Sequence, residues 1–249
     1  MSARIAPEEV GGAATVGTLI VSEIFGPTFQ GEGASIGRHC VFLRLGGCNL
    51  HCRWCDTPYT WDWTGRNGRA YDPRHELHRM NVTSVWESLR SLGSTSLVVS
   101  GGEPLLQQRA LLPVLECASQ AAWSIEIETA GTVAPDADTI ALVSRFNASP
   151  KLVNSGNTVT ERYRPEVLDA LQRSGKAAWK FVAQTLPDLD EIGALVDRHS
   201  LAPVYVMPEG IEPDVINARA QALAEGVIAR GWNLTTRLHI LLYGNRRGI

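Results

Sequence analysis

Strand-like and helix-like runs alternate along nearly the whole of this 249-residue chain, and that alternation restricts the folds open to it. Strands are expected at Leu19–Ile24, Cys40–Leu45, Leu97–Ser100, Ser124–Thr129, Phe146–Ser149, Ala178–Ala183, Val204–Met207 and Arg237–Leu242. Helices are expected at Val82–Leu92, Pro104–Ser119, Asp136–Val143, Pro165–Ser174, Pro187–His199 and Pro213–Arg230. All but the first of these helices open on Pro or Asp, which are start signals. Repeated βα units imply a parallel sheet with helices on its outer face. Six units are too few to close an eightfold barrel, so the expected architecture is α/β, a partial open (βα)6 barrel. No linker or low-complexity stretch divides residues 1–249, which are expected to form one domain. The irregular feature is an insert at about residues 61–80, rich in Trp, Arg, His and Gly, read either as a cap or as a solvated loop.

In such folds ligands gather at the C-terminal ends of the strands. That rule places Cys48, Gly101, Glu128, Thr129, Lys151, Pro208 and Glu209 at one end of the sheet, because each ends or follows an expected strand.

The first of these opens a loop with three cysteines in eight residues, Cys48, Cys52 and Cys55, spaced C-x3-C-x2-C. Thiolates hold iron–sulfur clusters, and a cubane has four irons, so three local ligands leave one iron open to a small molecule. Zinc is the main rival, with Cys48, His51, Cys52 and Cys55 as a Cys3His set. Structural zinc sites usually pair two ligand couples over a longer span, and no second couple is found here. Three crowded cysteines make a poor disulfide set, and an electron-carrier ferredoxin would want a fourth cysteine. The remaining cysteines, Cys40 in a strand and Cys117 in a helix, read as buried structural thiols.

About one βα unit later, Ser100-Gly101-Gly102-Glu103-Pro104 follows a strand and precedes a helical stretch. Two glycines allow a close backbone approach, and Glu103 sets a carboxylate beside them. Alone, this could be an ordinary turn. With the cysteine loop upstream, it resembles the radical S-adenosylmethionine superfamily. That resemblance implies a barrel of the same partial, open kind, with the free iron chelating the methionine moiety of S-adenosylmethionine.

Composition narrows the remainder. Lys plus Arg number 23 against 26 Asp plus Glu, a net charge of -3 that gives no basic footprint for nucleic acid. No run approaches the roughly 18 apolar residues of a membrane span. Met1–Gly17, with one Arg and two Glu, lacks the order of a signal peptide, so the expected location is the cytoplasm, where free thiols persist.

Two further segments are more specific: Gly26-Pro27-Thr28-Phe29-Gln30-Gly31-Glu32-Gly33 with Arg44 beyond it, and Cys55-Asp56-Thr57-Pro58-Tyr59-Thr60-Trp61. They resemble the 7-carboxy-7-deazaguanine synthase family of queuosine and 7-deazapurine biosynthesis, and the likeness runs on to the Tyr243-Gly244-Asn245 tail. The resemblance implies a radical ring contraction of 6-carboxy-5,6,7,8-tetrahydropterin to 7-carboxy-7-deazaguanine, with ammonia released. It implies a 4Fe-4S cluster on Cys48, Cys52 and Cys55, and Mg2+ on Thr57. Trp54, Asp56, Gly102, Glu103, Ser149, Pro150 and Lys151 would border S-adenosylmethionine. Phe29, Gln30, Gly31, Glu32, Arg44, Ser100 and Ile249 would hold the pterin. Gln30 can donate and accept, main-chain groups at Phe29 and Gly31 can pair with the ring edge, and Arg44 offers a fork to a carboxylate. The family reading also implies a flavodoxin-like or ferredoxin-like electron donor and a homodimer. Two other classes stay open at this point: an activase of glycyl-radical enzymes and a non-enzymatic metal-binding module.

Overall fold

The computed structural model of the chain describes residues 17–249. The expected absence of a signal peptide in Met1–Gly17 falls, Gly17 apart, outside the described residues. A nine-stranded open sheet runs in the order β3-β1-β2-β4-β5-β6-β7-β8-β9. Its strands are β1 (Thr18–Phe29), β2 (His39–Leu45), β3 (His78–Asn81), β4 (Ser96–Gly101), β5 (Ser124–Thr129), β6 (Arg145–Ala148), β7 (Ala177–Ala183), β8 (Val204–Pro208) and β9 (Asn233–Leu234). From β2 onward through β4 to β9 every pairing is parallel. At the other edge β1 runs antiparallel to both β2 and β3.

The helices are α1 (Pro73–Glu76), α2 (Val82–Ser91), α3 (Gln108–Gln120), α4 (Ala137–Leu142), α5 (Val159–Arg162), α6 (Pro165–Arg173), α7 (Leu186–His199), α8 (Pro213–Ala229) and α9 (Leu238–Tyr243). Longer helices after β2, β4, β5, β6, β7 and β8 make six βα units, so the expected partial (βα)6 barrel is what the chain forms. Among the described residues, no helix is long and apolar enough to cross a membrane.

Strand side chains alternate between two environments, as a pleated strand dictates. Val41, Leu43, Leu97, Val99, Ile125, Ile127, Phe146, Trp179, Phe181 and Val206 join one core with helix residues such as Leu111, Leu115, Leu189 and Leu223. Burial of a large side chain such as Phe146 or Phe181 stabilises by about 1.5–3 kcal/mol. The intervening residues point into the barrel. Low in that interior, Phe25 stacks on Phe42 with ring centroids 4.9 Å apart, beside Cys40 and Val98. Nearer the C-terminal ends the inward residues are polar: Arg44, Ser100, Glu128 and Lys180.

Three expectations are corrected. Arg237–Leu242 is not a strand; Leu238–Tyr243 is helical, ended at Gly244 with φ +69. A short apolar run does not distinguish the two by period alone, and the strand position is taken by β9 just before it. The single helix expected at Pro104–Ser119 is a 3₁₀ turn, Pro104–Gln107, followed by α3 with Pro113 inside it. Cys40 is buried as expected, but Cys117 is only half-buried. The 61–80 segment is more ordered than a bare loop. Asp62 accepts from the amides of Gly65, Arg66 and Asn67 at 2.8, 2.9 and 2.7 Å, and α1 and β3 follow. Asn81 supplies the missing start signal of α2 by accepting from the Ser84 amide at 2.8 Å.

Candidate active site

A cavity of about 520 Å³ opens at the C-terminal ends of the parallel strands. Most of the residues singled out in the sequence line it, including Phe29, Gln30, Gly31, Glu32, Arg44, Trp54, Asp56, Thr57, Ser100, Gly102, Ser149, Lys151 and Ile249. Cys48, Cys52 and Cys55 lie on its wall. Glu103 and Pro150 do not.

The cysteine loop leaves β2 through Gly46 and Gly47 and is braced by the loop after β4. Glu103 N donates to the Gly47 carbonyl at 2.9 Å, and Gly102 N to the Leu45 carbonyl at 3.1 Å. A methyl on Gly101, whose φ is +140, would come within 2.1 Å of the Leu45 carbonyl oxygen. The close approach these glycines permit is therefore to the cysteine loop itself. Glu103 is fully buried behind it and accepts from Thr129 Oγ1 at 2.9 Å, Ala130 N at 2.7 Å and Leu105 N at 3.1 Å. Burial raises its carboxyl pKa, against the pull of those donors. Glu103 thus ties the end of β5 to the end of β4 from beneath the cavity.

All three sulfurs are free thiols, and each has an N–H directed at it. Leu50 N lies 3.4 Å from Cys48 Sγ, Asn157 Nδ2 3.2 Å from Cys52 Sγ, and Trp61 Nε1 3.4 Å from Cys55 Sγ. Burial pushes the Cys48 thiol up to about 12 and the Cys55 thiol up to about 11. A bare thiolate is disfavoured in such a place, so metal binding there displaces protons. Three thiolates in one loop with N–H donors to sulfur are the donor set of an iron–sulfur cluster, whose potential such bonds tune. His51, the fourth member of the zinc alternative, is exposed and sits edge-on to Trp61 at 5.1 Å.

Next to this loop Trp54 Nε1 donates to Asn154 Oδ1 at 3.1 Å, and Lys151 Nζ lies 5.7 Å from the Trp54 ring centroid. Lys151 is steadied by the Ser149 carbonyl at 2.8 Å and hydroxyl at 3.1 Å. Thr57 precedes a 3₁₀ turn, Pro58–Thr60, yet its side chain makes no capping bond; Cys55 Sγ is 3.7 Å from its hydroxyl.

Across the cavity, Arg44 Nε donates to Glu23 Oε2 at 3.1 Å, its Nη1 lies 3.5 Å from Ser100 Oγ, and its guanidinium carbon is 5.3 Å from the Phe25 ring centroid. The Gln30 side-chain amide donates to Glu126 at 2.8 Å and to Glu128 at 3.1 Å. Its NH2 group is therefore committed to two carboxylates, and the Gln30 main-chain N–H donates to the Arg38 carbonyl at 2.8 Å. The C-terminal tail folds over this side: Arg247 pairs with Glu23 and with Glu76 at 2.6 Å and covers the Tyr59 ring at 3.7 Å, which brings Ile249 to the cavity.

Sequence reading placed Glu128 at the ligand end without a role and missed Lys180, Arg237 and His239; all four line the cavity. Lys180 pairs with Glu32 and lies 4.0 Å from Glu128. Burial opposes the charge on Glu32, but Lys180 and then Arg237 hold its carboxyl well below the usual range. A lysine inside the apolar run of β7 and the Ile/Glu alternation of β5 were the available signals.

A sequence profile described as a 4Fe-4S single cluster domain matches residues 29–136, which contain the cysteine loop. A 7-carboxy-7-deazaguanine synthase of Pyrobaculum aerophilum is 34% identical over 230 residues, covering 92% of this chain and 96% of that one. The chain belongs to the 7-carboxy-7-deazaguanine synthase family. A second 7-carboxy-7-deazaguanine synthase, from Rhodopirellula baltica, is 33% identical over 248 residues, covering 94% of this chain and 90% of its own. The crystal structure of QueE from Escherichia coli superposes with a TM-score of 0.67 at 22% identity, covering 89% of this chain and 95% of that one. At that identity the likeness establishes a common fold.

Proposed function

We infer that this chain is a 7-carboxy-7-deazaguanine synthase. It converts 6-carboxy-5,6,7,8-tetrahydropterin to 7-carboxy-7-deazaguanine with loss of ammonia, a carbon–nitrogen lyase reaction run by radical chemistry. The observation that carries this reading is that the three-cysteine loop, the Phe29–Glu32 segment and Arg44 face one cavity. The two relatives above carry that name along more than nine-tenths of this chain.

Cys48, Cys52 and Cys55 hold the 4Fe-4S cluster in this reading, and Trp54, Asp56, Gly102, Ser149 and Lys151 flank S-adenosylmethionine. Once bound, cluster and S-adenosylmethionine together supply a carbon-centred radical able to take a hydrogen atom from the pterin. The protein's own work is binding, orientation and exclusion of water. Arg44, anchored through Nε, turns its remaining N–H groups toward the substrate carboxylate, with Ser100 beside it. Main-chain groups at Phe29 and Gly31 and the carboxylate of Glu128 meet the donor–acceptor edge of the ring. The Gln30 amide holds Glu128 in place for this, and Glu103 and Pro150 shape the pocket from behind.

The Thr57 hydroxyl is assigned to Mg2+, which takes hard oxygen ligands and keeps several waters. The absence of a capping bond on Thr57 supports that assignment. The 61–80 insert caps the cluster, a role supported by Trp61 on Cys55 Sγ and by Asn67 Nδ2, which donates to the Cys52 carbonyl at 2.9 Å. A flavodoxin-like or ferredoxin-like donor, a homodimer and a cytoplasmic location complete the reading. An activase of glycyl-radical enzymes would have no need of the Phe29–Glu32 segment and Arg44.

Anaerobic incubation of the iron-loaded protein with S-adenosylmethionine, a reductant and the pterin should yield the deazaguanine acid, read by mass. Cleavage of S-adenosylmethionine with no such product would overturn the assignment.

A further inference from the structure

Arg237 stands at the meeting point of three loops that are far apart in the chain. Its Nε donates to Glu32 Oε1 at 3.0 Å, its Nη2 pairs with Asp56, and its Nη1 donates to the Gly210 carbonyl. Glu32 belongs to the segment after β1, Asp56 to the cysteine loop, and Gly210 to the loop after β8. The side chain is 6% exposed, so these bonds form largely out of water. Lys180 supplies the second positive charge, also on Glu32. Ligating atoms of Glu32, Asp56 and His239 lie within 4.8 Å of one another, so without Arg237 two carboxylates would face each other with Lys180 paired to Glu32 alone of the two. Asp56 is next in sequence to both Cys55 and Thr57, and Glu32 ends the Phe29–Glu32 segment.

We propose that Arg237 is a positioning residue that fixes the distance and orientation between the substrate-side loop at Glu32 and the cluster-side loop at Asp56. The role rests on the proposed reaction, in which a radical generated on one loop must reach a substrate held by the other. A planar guanidinium reaches both carboxylates and a carbonyl at once in fixed directions; an ammonium is a point charge that does not. Effective placement of reacting atoms is worth orders of magnitude in rate, and small displacements forfeit it. Arg237 lines the cavity beside both carboxylates and in this scheme acts through them.

The test compares the parent with Arg237→Lys, and with the charge-balanced pair Arg237→Gln/Asp56→Asn as a second variant. The first measurement needs no ligand: hydrogen exchange of the amides in residues 31–38 and 53–57. Both segments are expected to exchange faster together in each variant, while α3 and α7 keep parental protection. The second measurement uses the iron-loaded protein with the pterin. Pterin affinity is expected to fall about tenfold or more, the value of one charge-assisted hydrogen bond. The ratio of 5′-deoxyadenosine released to product formed is expected to rise. Faster exchange in one segment alone, or in neither, overturns the proposal. So does global unfolding of both variants, which would make Arg237 a residue that holds the fold together. A parent that fails to turn over the pterin refutes the proposed reaction instead, and the exchange result still decides the coupling of the loops.

Discussion

Gly102 lies so close to Gly47 that a methyl group on it would come within 2.0 Å of the Gly47 carbonyl oxygen and 2.9 Å of Cys48 Cβ. The obstacle is backbone, which cannot swing aside. Gly102→Ala should therefore push the cysteine loop away from the end of β4. Overpacking of this kind costs about 1–3 kcal/mol, and here the strain falls on the loop that bears the thiols. The variant should fold, melt lower, and bind markedly less iron per chain after reconstitution. Parental iron content would show that the contact is not needed to shape the site.

Cys48, Cys52 and Cys55 should each be required for iron, and Cys40 and Cys117 should not. Cys40 is fully buried between Phe25, Phe42 and Val98, so Cys40→Ala should cost stability, about 1–2 kcal/mol, through the cavity it leaves. Cys117 is half-buried on α3, and its replacement should be nearly silent. Iron analysis and the visible absorption of each variant check this; loss of iron in Cys117→Ala equal to that in Cys52→Ala would refute the ligand set.

Thr57→Ala should keep its iron and its cleavage of S-adenosylmethionine but lose most pterin turnover and most stimulation by added magnesium. The side chain makes no capping bond in the turn that follows, so its removal should change the melting temperature little. Normal turnover with a parental magnesium response would make Thr57 a turn residue only.

Arg247→Ala should loosen the C-terminal tail. The guanidinium now joins Glu23 to Glu76 and covers Tyr59, and Glu23 in turn holds Arg44. The variant should raise the KM for the pterin about tenfold, the worth of one charge-assisted hydrogen bond, with iron content unchanged. A short extension beyond Ile249 should act in the same direction, because that residue lines the cavity. Steady-state kinetics settle the point: an unchanged KM in both proteins would place the tail outside substrate binding.

The six βα units could be read from sequence because most of their strands are short, largely apolar runs and five of the expected helices open on Pro or Asp. The cysteine loop was legible for a different reason: ligand spacing within one loop survives any fold around it. Arg237 was not legible. Its partners Glu32 and Asp56 are 205 and 181 positions away, and its own segment mimicked a strand. The Gln30 amide was readable as a polar group, but not as one already committed to Glu126 and Glu128, because those bonds exist only once β5 lies opposite the end of β1. Glu103 followed the same pattern: the motif marked its neighbourhood, and tertiary structure turned its carboxylate away from the cavity.

Strand β5 shows what the two-faced barrel permits. Ile125 and Ile127 meet the helices while Glu126 and Glu128, the residues between, face inward. Solidity and chemistry are thus written in interleaved but separate letters of one strand. Inward positions can be rewritten for a different planar substrate while the helix-facing letters stay untouched, so a lineage built on this barrel can change what it accepts without first learning again how to fold.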